Sequence, residues 1–222
     1  MLQQAGNSLV GVSLVAGLIA VVSLFFGSSR RALIAGLGAA FAAHLVALGF
    51  AVALVQFVRP EPATTLLVFG NTAIEEIARI AMLAFIVKEW ARGGTGLTFG
   101  LGFGALEGVT KFADLMLYVS QSESGMMRIL AATSAPAVPW LLHIMLSVVA
   151  MSLRRAGFSW LIIFLVTTTL HAAHNASVLL IVIEDYGTLV LANLVRAATL
   201  TAIFVGALAW SKSLNDRRRT TE

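Results

Sequence analysis

The chain has 222 residues, of which 59% are hydrophobic and 12% are charged, and its mean hydropathy is +0.91. The apolar residues fall in long blocks separated by short polar breaks, which excludes a soluble domain and indicates a helical membrane protein with several spans. Cysteine is absent, which excludes disulfides, thiolate metal sites and cysteine nucleophiles. The formal net charge is +4, but the basic residues lie mostly at the ends of apolar runs, so we expect contact with membrane lipid and no nucleic acid partner.

Seven apolar runs approach or reach the ~20 residues that a helix needs to cross the hydrocarbon core of a bilayer. They cover residues 9–26, 32–58, 64–87, 97–119, 138–153, 160–183 and 189–210. We therefore expect an all-α protein in which residues 1–222 form a single integral membrane domain with about seven transmembrane helices. No basic residue precedes the first run, so we interpret that run as a retained helix and not as a signal peptide. The fifth run is short, and Pro139 near its start suits the first turn of a helix.

The basic residues in the connections predict the orientation of the chain. Ten of them follow the odd-numbered runs and two lie in the alternate connections. The first group is Arg30, Arg31, Lys88, Arg92, Arg154, Arg155, Lys212, Arg217, Arg218 and Arg219, and the second is Arg59 and Arg128. Because basic residues are enriched on the cytoplasmic side, we expect the N-terminus outside and the C-terminus inside, in the plasma membrane of a bacterium or archaeon. The outer segment 121–136 is predicted to be a partly apolar stretch on the membrane surface or a plain loop.

Ionisable and amide side chains lie within four of the predicted spans. They are Glu75, Glu76 and Arg79 in the third run, Glu107 and Lys111 in the fourth, His143 in the fifth, and His171, His174 and Asn175 in the sixth. At ~1.5 Å per helical residue, Glu75, Glu107 and His171 fall near the midplane of the bilayer, and His143 falls closer to the outer surface. Such groups are costly at membrane depth and by default indicate a functional site, here one that opens outward.

Helical spacing also permits a structural interpretation of these residues. Glu75 and Arg79 are four residues apart and can pair on one face of a helix, as can Glu107 and Lys111. We interpret Arg79 mainly as a group that holds a carboxylate in place. For Glu107 with Lys111, a structural ion pair and a functional role remain equally open.

Other patterns are assigned to helix packing. His44 in the second run and Arg196 in the seventh are interpreted as structural groups. Gly100, Gly104 and Gly108 recur every four residues, and we expect them to pack the fourth helix closely against a neighbour.

The polar set as a whole favours hydrolysis of an amide bond. A carboxylate in a low-dielectric site can act as a general base for water. Neutral histidine and an asparagine amide can donate hydrogen bonds to the oxyanion that develops on the substrate. Zinc is the alternative activator of water, although the spacing H-E-x-x-H is absent. If a metal is bound, its ligands would come from His143, His171, Glu75 and Glu107.

In chain order, these motifs resemble those of the CAAX-protease superfamily of intramembrane endopeptidases. The resemblance lies in Glu75-Glu76-x-x-Arg79, Phe103-x-x-x-Glu107, His143 and His171-x-x-x-Asn175, and it spans close to half of the chain. The PrsW-like branch is the closer match, because CAAX endopeptidases have histidine at the position of Glu107 and PrsW proteins have glutamate there. PrsW proteins usually have lysine where Arg79 stands. The seven-helix layout is also similar to the scaffold subunit of gamma-secretase, which lacks the complete glutamate pair.

The resemblance implies a role for each residue of the set. Glu75 would be the base that activates water, and His171 and Asn175 would support the oxyanion. Glu107 and His143 would complete the catalytic site. Supporting roles would fall to Glu76 and Arg79. We also expect His174 and Lys111, which lie on the same helices as the catalytic set, to support the site.

Three classes of function follow from these observations. The first is an intramembrane endopeptidase that cuts a membrane-anchored protein in or near the membrane on the outer side. The second is a non-catalytic membrane scaffold or chaperone, in which the polar residues only hold helices together. The third is a proton- or cation-coupled transporter, which is disfavoured because the chain shows neither an internal repeat nor a pair of Gly/Pro-interrupted helices.

Overall fold

A computed structural model describes residues 30–57, 60–90, 95–119, 126–179 and 186–219 of the chain. These residues contain six α-helices and no strand, which confirms the all-α prediction. The helices are α1 (Arg30–Phe57), α2 (Pro60–Trp90), α3 (Thr95–Val119), α4 (Met126–Arg155), α5 (Trp160–Leu179) and α6 (Tyr186–Arg219). The first predicted span, residues 9–26, lies outside the described residues.

The turn between α4 and α5 has a well-defined geometry at both of its ends. Gly157 takes the left-handed φ of 85°, which a residue without a Cβ atom adopts easily. Its N–H donates to the carbonyl of Arg154, and the N–H of Phe158 donates to the carbonyl of Leu153, so a Schellman motif ends α4. The hydroxyl of Ser159 then accepts from a backbone N–H in the first turn of α5 and caps that helix. The two helices are thereby joined by a short connection, as antiparallel neighbours require.

Five of the helices form a closed ring. Around the ring, α1 packs against α3, α3 against α4, α4 against α5, α5 against α2, and α2 against α1. The helices α2 and α4 also approach each other across it, and α6 packs against α4. Side chains from four different helices can therefore meet in the interior of the ring.

Glycines bring α3 and α4 into close contact. A Cβ atom at Gly100 would lie 2.5 Å from the Cα atom of Ile144 and 2.6 Å from the carbonyl oxygen of His143. A Cβ atom at Gly104 would lie 2.9 Å from the Cα atom of Trp140. The prediction that this face packs against a neighbouring helix is confirmed, and the neighbour is α4.

α4 begins well before the fifth predicted span, at Met126 instead of residue 138. The prediction of a loop is therefore wrong for residues 126–136, which are helical and continuous with the rest of α4, whereas their place at the membrane surface stays a prediction. Pro136 and Pro139 lie inside α4 and not in its first turn. Proline removes a backbone hydrogen-bond donor and so resembles a helix end in the sequence, but helices of membrane proteins tolerate it in their interior.

Two other helices, α2 and α6, are also longer than the apolar runs that predicted them. α2 and α6 begin before and end after the predicted ranges 64–87 and 189–210. Hydropathy marks only the part of a helix that suits the hydrocarbon core, whereas the helical backbone continues into the polar residues on either side.

Two stretches of the described helices are long and apolar enough to cross a membrane, namely Arg30–Leu54 in α1 and Ala137–Arg155 in α4. Length and composition alone do not distinguish a span from the core helix of a soluble protein. The exposed surface provides a second indication, because many large apolar side chains are more than half exposed. Among them are Phe41, Leu45, Val46, Leu48 and Val52 on α1, Leu161 and Leu165 on α5, and Leu191, Leu194 and Val195 on α6. An apolar surface of this extent indicates association with a membrane.

Candidate functional site

The interior of the ring holds a set of charged and polar side chains, here named the polar cluster. Its members are Glu75, Glu76 and Arg79 from α2, Glu107 from α3, His143 from α4 and His171 from α5. Four of them are fully or almost fully buried, whereas the side chains of Glu75 and Glu107 are 14% and 18% exposed. The structure thus brings together side chains that the sequence places on four separate helices.

Glu76 links α2 to α5. Its Oε1 atom accepts hydrogen bonds from Nη1 of Arg79 and, at 2.8 Å, from Nδ1 of His171. A carboxylate only accepts hydrogen bonds, so the single N–H of a neutral His171 lies on Nδ1. The Nε2 atom of His171 then has a lone pair.

Arg79 extends this network to α4 and α3. Its Nη2 atom donates to Nδ1 of His143. The guanidinium also lies over the ring of Phe103, with Cζ 4.7 Å from the ring centroid, and this ring packs against His143 at a centroid distance of 4.8 Å. Arginine only donates hydrogen bonds, so the N–H of a neutral His143 lies on Nε2. That N–H donates to Oε2 of Glu107.

Glu75 is not part of this chain of hydrogen bonds. Its Oε2 atom lies 3.6 Å from Nε2 of His171 and 3.9 Å from Nε2 of His143. The same atom is buried and has no hydrogen-bond partner in the described structure. Glu75 therefore presents an unused acceptor oxygen between one imidazole nitrogen that accepts and another that donates.

The pairing of Arg79 differs from the one that helical spacing suggested. Arg79 pairs with Glu76, three residues before it, and not with Glu75, four residues before it. Both spacings place two residues on one face of a helix, so local geometry permits either pair. The tertiary neighbours decide, because His143 and Phe103 lie where the guanidinium meets Glu76.

Lys111 and His174 are the two remaining residues that were predicted to support the site. Lys111 lies on α3, but its side chain lies outside the described part of the structure, so its predicted pairing with Glu107 stays a prediction. Glu107 contacts His143. His174 is partly exposed, whereas His171 on the same helix is buried.

Asn175 makes a second link between α5 and α2. Its Nδ2 atom donates to Oγ1 of Thr72 at 2.8 Å, one helical turn from the contact between Glu76 and His171. Thr72 is buried, and the sequence analysis did not select it. The available signal was its spacing, because Thr72 precedes Glu76 by four residues and shares its helical face.

His44 and Arg196 are the two residues that were assigned a structural role. Nδ1 of His44 donates to the carbonyl oxygen of Ala40 at 2.9 Å, within its own helix. Arg196 on α6 has its Nε and Nη2 atoms buried, with no hydrogen-bond partner in the described structure. The contact of His44 agrees with a structural role.

A metal ion does not fit the polar cluster in this arrangement. Glu75, His143 and His171 have ligand atoms within 4.8 Å of one another. His171 suits a metal, because ligating histidines commonly donate their other N–H to a carboxylate, here Glu76. His143 does not, because Arg79 occupies the lone pair of Nδ1 and the proton remains on Nε2.

Comparison with known proteins gives no family for this chain. No protein-family model matches it, and neither does any curated protein or any solved structure. The motif resemblance to the CAAX-protease superfamily therefore stays a prediction.

Proposed function

We propose that the chain is an intramembrane endopeptidase in which Glu75 activates a water molecule for attack on a peptide bond. The observation that supports this most directly is the unpartnered Oε2 atom of Glu75, which lies 3.6 Å and 3.9 Å from the Nε2 atoms of His171 and His143. Other buried polar atoms of the described structure also have no partner, Oε2 of Glu76 among them, but the position near two imidazole nitrogens distinguishes Glu75. A carboxylate oxygen in that position can accept a proton from water.

The proposed reaction uses a base, an oxyanion donor and an acid. A water molecule donates hydrogen bonds to Glu75 and to Nε2 of His171. As the water oxygen bonds to the carbonyl carbon of the substrate, its proton passes to Glu75. The oxyanion accepts from the amide N–H of Asn175 that Thr72 does not use. The protonated Glu75 then gives its proton to the leaving nitrogen, and the C–N bond breaks.

These roles differ from the family resemblance at one residue. The resemblance assigns His171 to the oxyanion, but its Nδ1–H is donated to Glu76. A neutral His171 then has no second N–H to offer to an oxyanion. We therefore assign His171 to the orientation of water. The single N–H of a neutral His143 is also in use, because Glu107 accepts it, so we assign the oxyanion to the amide of Asn175. Glu107 thereby fixes the direction of the His143 ring.

The proposed setting is a bundle of seven spans in the plasma membrane of a bacterium or archaeon, with the N-terminus outside and the C-terminus in the cytoplasm. The distribution of basic residues supports this orientation. Glu75 and Glu107 lie at the midpoints of α2 and α3, which supports a site near the midplane. The substrate is a membrane-anchored protein whose scissile segment enters the ring from the outer side.

The experiment compares new N-termini in membranes from cells that express the wild type, Glu75→Gln or Glu61→Gln. Terminal amines are labelled and the labelled peptides are identified by mass spectrometry. We expect N-termini that require the wild type to fall at least ~100-fold in Glu75→Gln, since general-base catalysis contributes on the order of 10²–10⁴. Glu61→Gln makes the same chemical change in the first turn of α2, and we expect it to cleave like the wild type. Unchanged cleavage by folded Glu75→Gln would refute the proposal.

A structural scaffold is the second candidate, because the contacts of Glu76 and Arg79 tie four helices together. Glu75 lies outside that chain of hydrogen bonds and therefore separates the two functions. For a protease, Glu75→Gln abolishes cleavage and leaves the midpoint of thermal unfolding in detergent nearly unchanged, whereas Glu76→Gln lowers the midpoint. For a scaffold, neither variant changes the pattern of N-termini, and only the loss of stability in Glu76→Gln is observed.

A further inference from the structure

Arg79 is a buried hydrogen-bond donor with a permanent positive charge. It contacts His143, one of the three side chains whose ligand atoms lie close enough together to hold a metal ion. Its Nη2 atom donates to Nδ1 of His143, and both side chains are fully buried. The guanidinium is held in two further ways, by the bond from Nη1 to Glu76 and by the face of Phe103. It cannot turn away from His143 without also leaving Glu76.

These neighbours determine which nitrogen of His143 carries the proton. Arginine keeps its charge in proteins and has no acceptor, so Nδ1 of His143 must offer its lone pair. On the other side of the ring, Nε2 faces Oε2 of Glu107 and lies 3.9 Å from Oε2 of Glu75. Both of these atoms are acceptors when the carboxyl groups are ionised. A donor on one side and acceptors on the other favour the same tautomer, with the N–H on Nε2.

We propose that Arg79 is a positioning residue that sets the tautomer of His143 and thereby keeps divalent metal out of the site formed by Glu75, His143 and His171. A metal at this site needs the lone pair of Nε2 of His143. With Arg79 in place, that requires an imidazole ring that has lost both of its protons. The positive guanidinium also repels a cation bound next to the ring.

His171 provides an internal comparison for this proposal. Its Nδ1–H is donated to Glu76, so its Nε2 lone pair is the one that faces Glu75. The two histidines of the cluster are therefore in opposite tautomers, and only His143 prevents metal binding. This inference goes beyond the proposed protease activity and does not depend on it, because it concerns only protonation and metal binding.

The first test is nitrogen NMR of the wild type, labelled with ¹⁵N-histidine and reconstituted in lipid nanodiscs at neutral pH. His143→Gln and His171→Gln identify the signals by their loss. We expect an unprotonated Nδ1 and a protonated Nε2 for His143, and the reverse for His171. A proton on Nδ1 of His143 would overturn the proposal.

The second test is titration with cobalt(II), whose visible absorption reports tetrahedral coordination by histidine and carboxylate. The wild type is expected not to bind cobalt at this site. Arg79→Met removes the donor and the charge, and we expect it to develop the cobalt absorption that the wild type lacks at the same cobalt concentrations. Arg79→Lys keeps a charged donor and should behave like the wild type. The double variant Arg79→Met/His143→Gln should lose the cobalt binding that Arg79→Met acquires.

Each outcome of these titrations bears on the proposal. Cobalt binding by the wild type that is lost in His143→Gln would refute metal exclusion. A folded Arg79→Met protein that gains no cobalt binding would refute it as well. If Arg79→Met does not fold because Glu76 has lost its partner, the tautomer and the cobalt titration of the wild type still decide the question.

Discussion

Glu75 and Glu76 are adjacent residues with different contacts. Successive side chains on a helix point ~100° apart, so the two carboxylates approach different atoms of His171. Oε1 of Glu76 accepts hydrogen bonds from Arg79 and from Nδ1 of His171. Oε2 of Glu75 has no hydrogen-bond partner in the described structure and lies near the Nε2 atoms of both His171 and His143. The two adjacent carboxylates can therefore have different roles: Glu76 holds the neighbouring side chains in place, and Glu75 is available to accept a proton.

The hydrogen bond from Asn175 to Thr72 provides a residue-scale prediction about how α5 is held to α2. Thr72→Val keeps the shape of the side chain and removes the acceptor, so we expect the free energy of unfolding to fall by ~0.5–1.5 kcal/mol. The measurement is unfolding by SDS in mixed micelles. Thr169→Val is the matched control, because the exposed hydroxyl of Thr169 donates only to the carbonyl of Leu165 in its own helix. Equal losses in the two variants would contradict an interhelical role for Thr72.

At the scale of the helices, the position of α3 decides whether the polar cluster can form. The glycines of α3 allow its backbone to touch that of α4, and the same helix also carries Glu107. Glu107 reaches His143 because the two helices are this close. The packing of one helix pair is thereby coupled to the geometry of the candidate site.

Gly100→Ala should separate these two helices. Its Cβ atom would meet the backbone of Ile144 and His143, and overpacking of this kind typically costs ~1–3 kcal/mol in unfolding free energy. Gly38→Ala is the matched control, since open space surrounds that position on α1 and alanine favours a helix over glycine by up to ~1 kcal/mol. SDS unfolding should therefore show opposite signs for the two variants. A stabilising Gly100→Ala would disprove the close contact.

The sequence was sufficient to predict the helices and the polar and glycine-rich faces on them. It was not sufficient to predict which of these faces contact one another. Hydropathy predicted six runs that the structure finds as helices, and the spacing of Gly100 and Gly104 predicted close packing of α3. The sequence pattern did not predict that Arg79 contacts Glu76 and His143, since that choice depends on the order of the helices around the ring. Hydropathy also predicted too late a start for α4, because Pro136 and Pro139 interrupt the apolar pattern without ending the helix.

At the scale of the whole molecule, polarity is distributed in the opposite way from a soluble protein. The described interior of the ring contains polar side chains such as Glu76 and Arg79, and the outer surface exposes large apolar side chains such as Phe41 and Leu45. Water would make such a surface prone to aggregation, whereas lipid solvates it.

The orientation of α4 in the membrane is the whole-molecule property that is simplest to test. The chain lacks cysteine, so a single introduced thiol is the only one that a maleimide can label. Ser124→Cys lies before α4 on the predicted outer side, and Arg155→Cys lies at the exposed end of α4 on the predicted cytoplasmic side. In intact spheroplasts, a membrane-impermeant maleimide should label the first variant and should label the second only after lysis. Labelling of both thiols from outside would show that α4 does not cross the membrane, and the reverse pattern would invert the predicted topology.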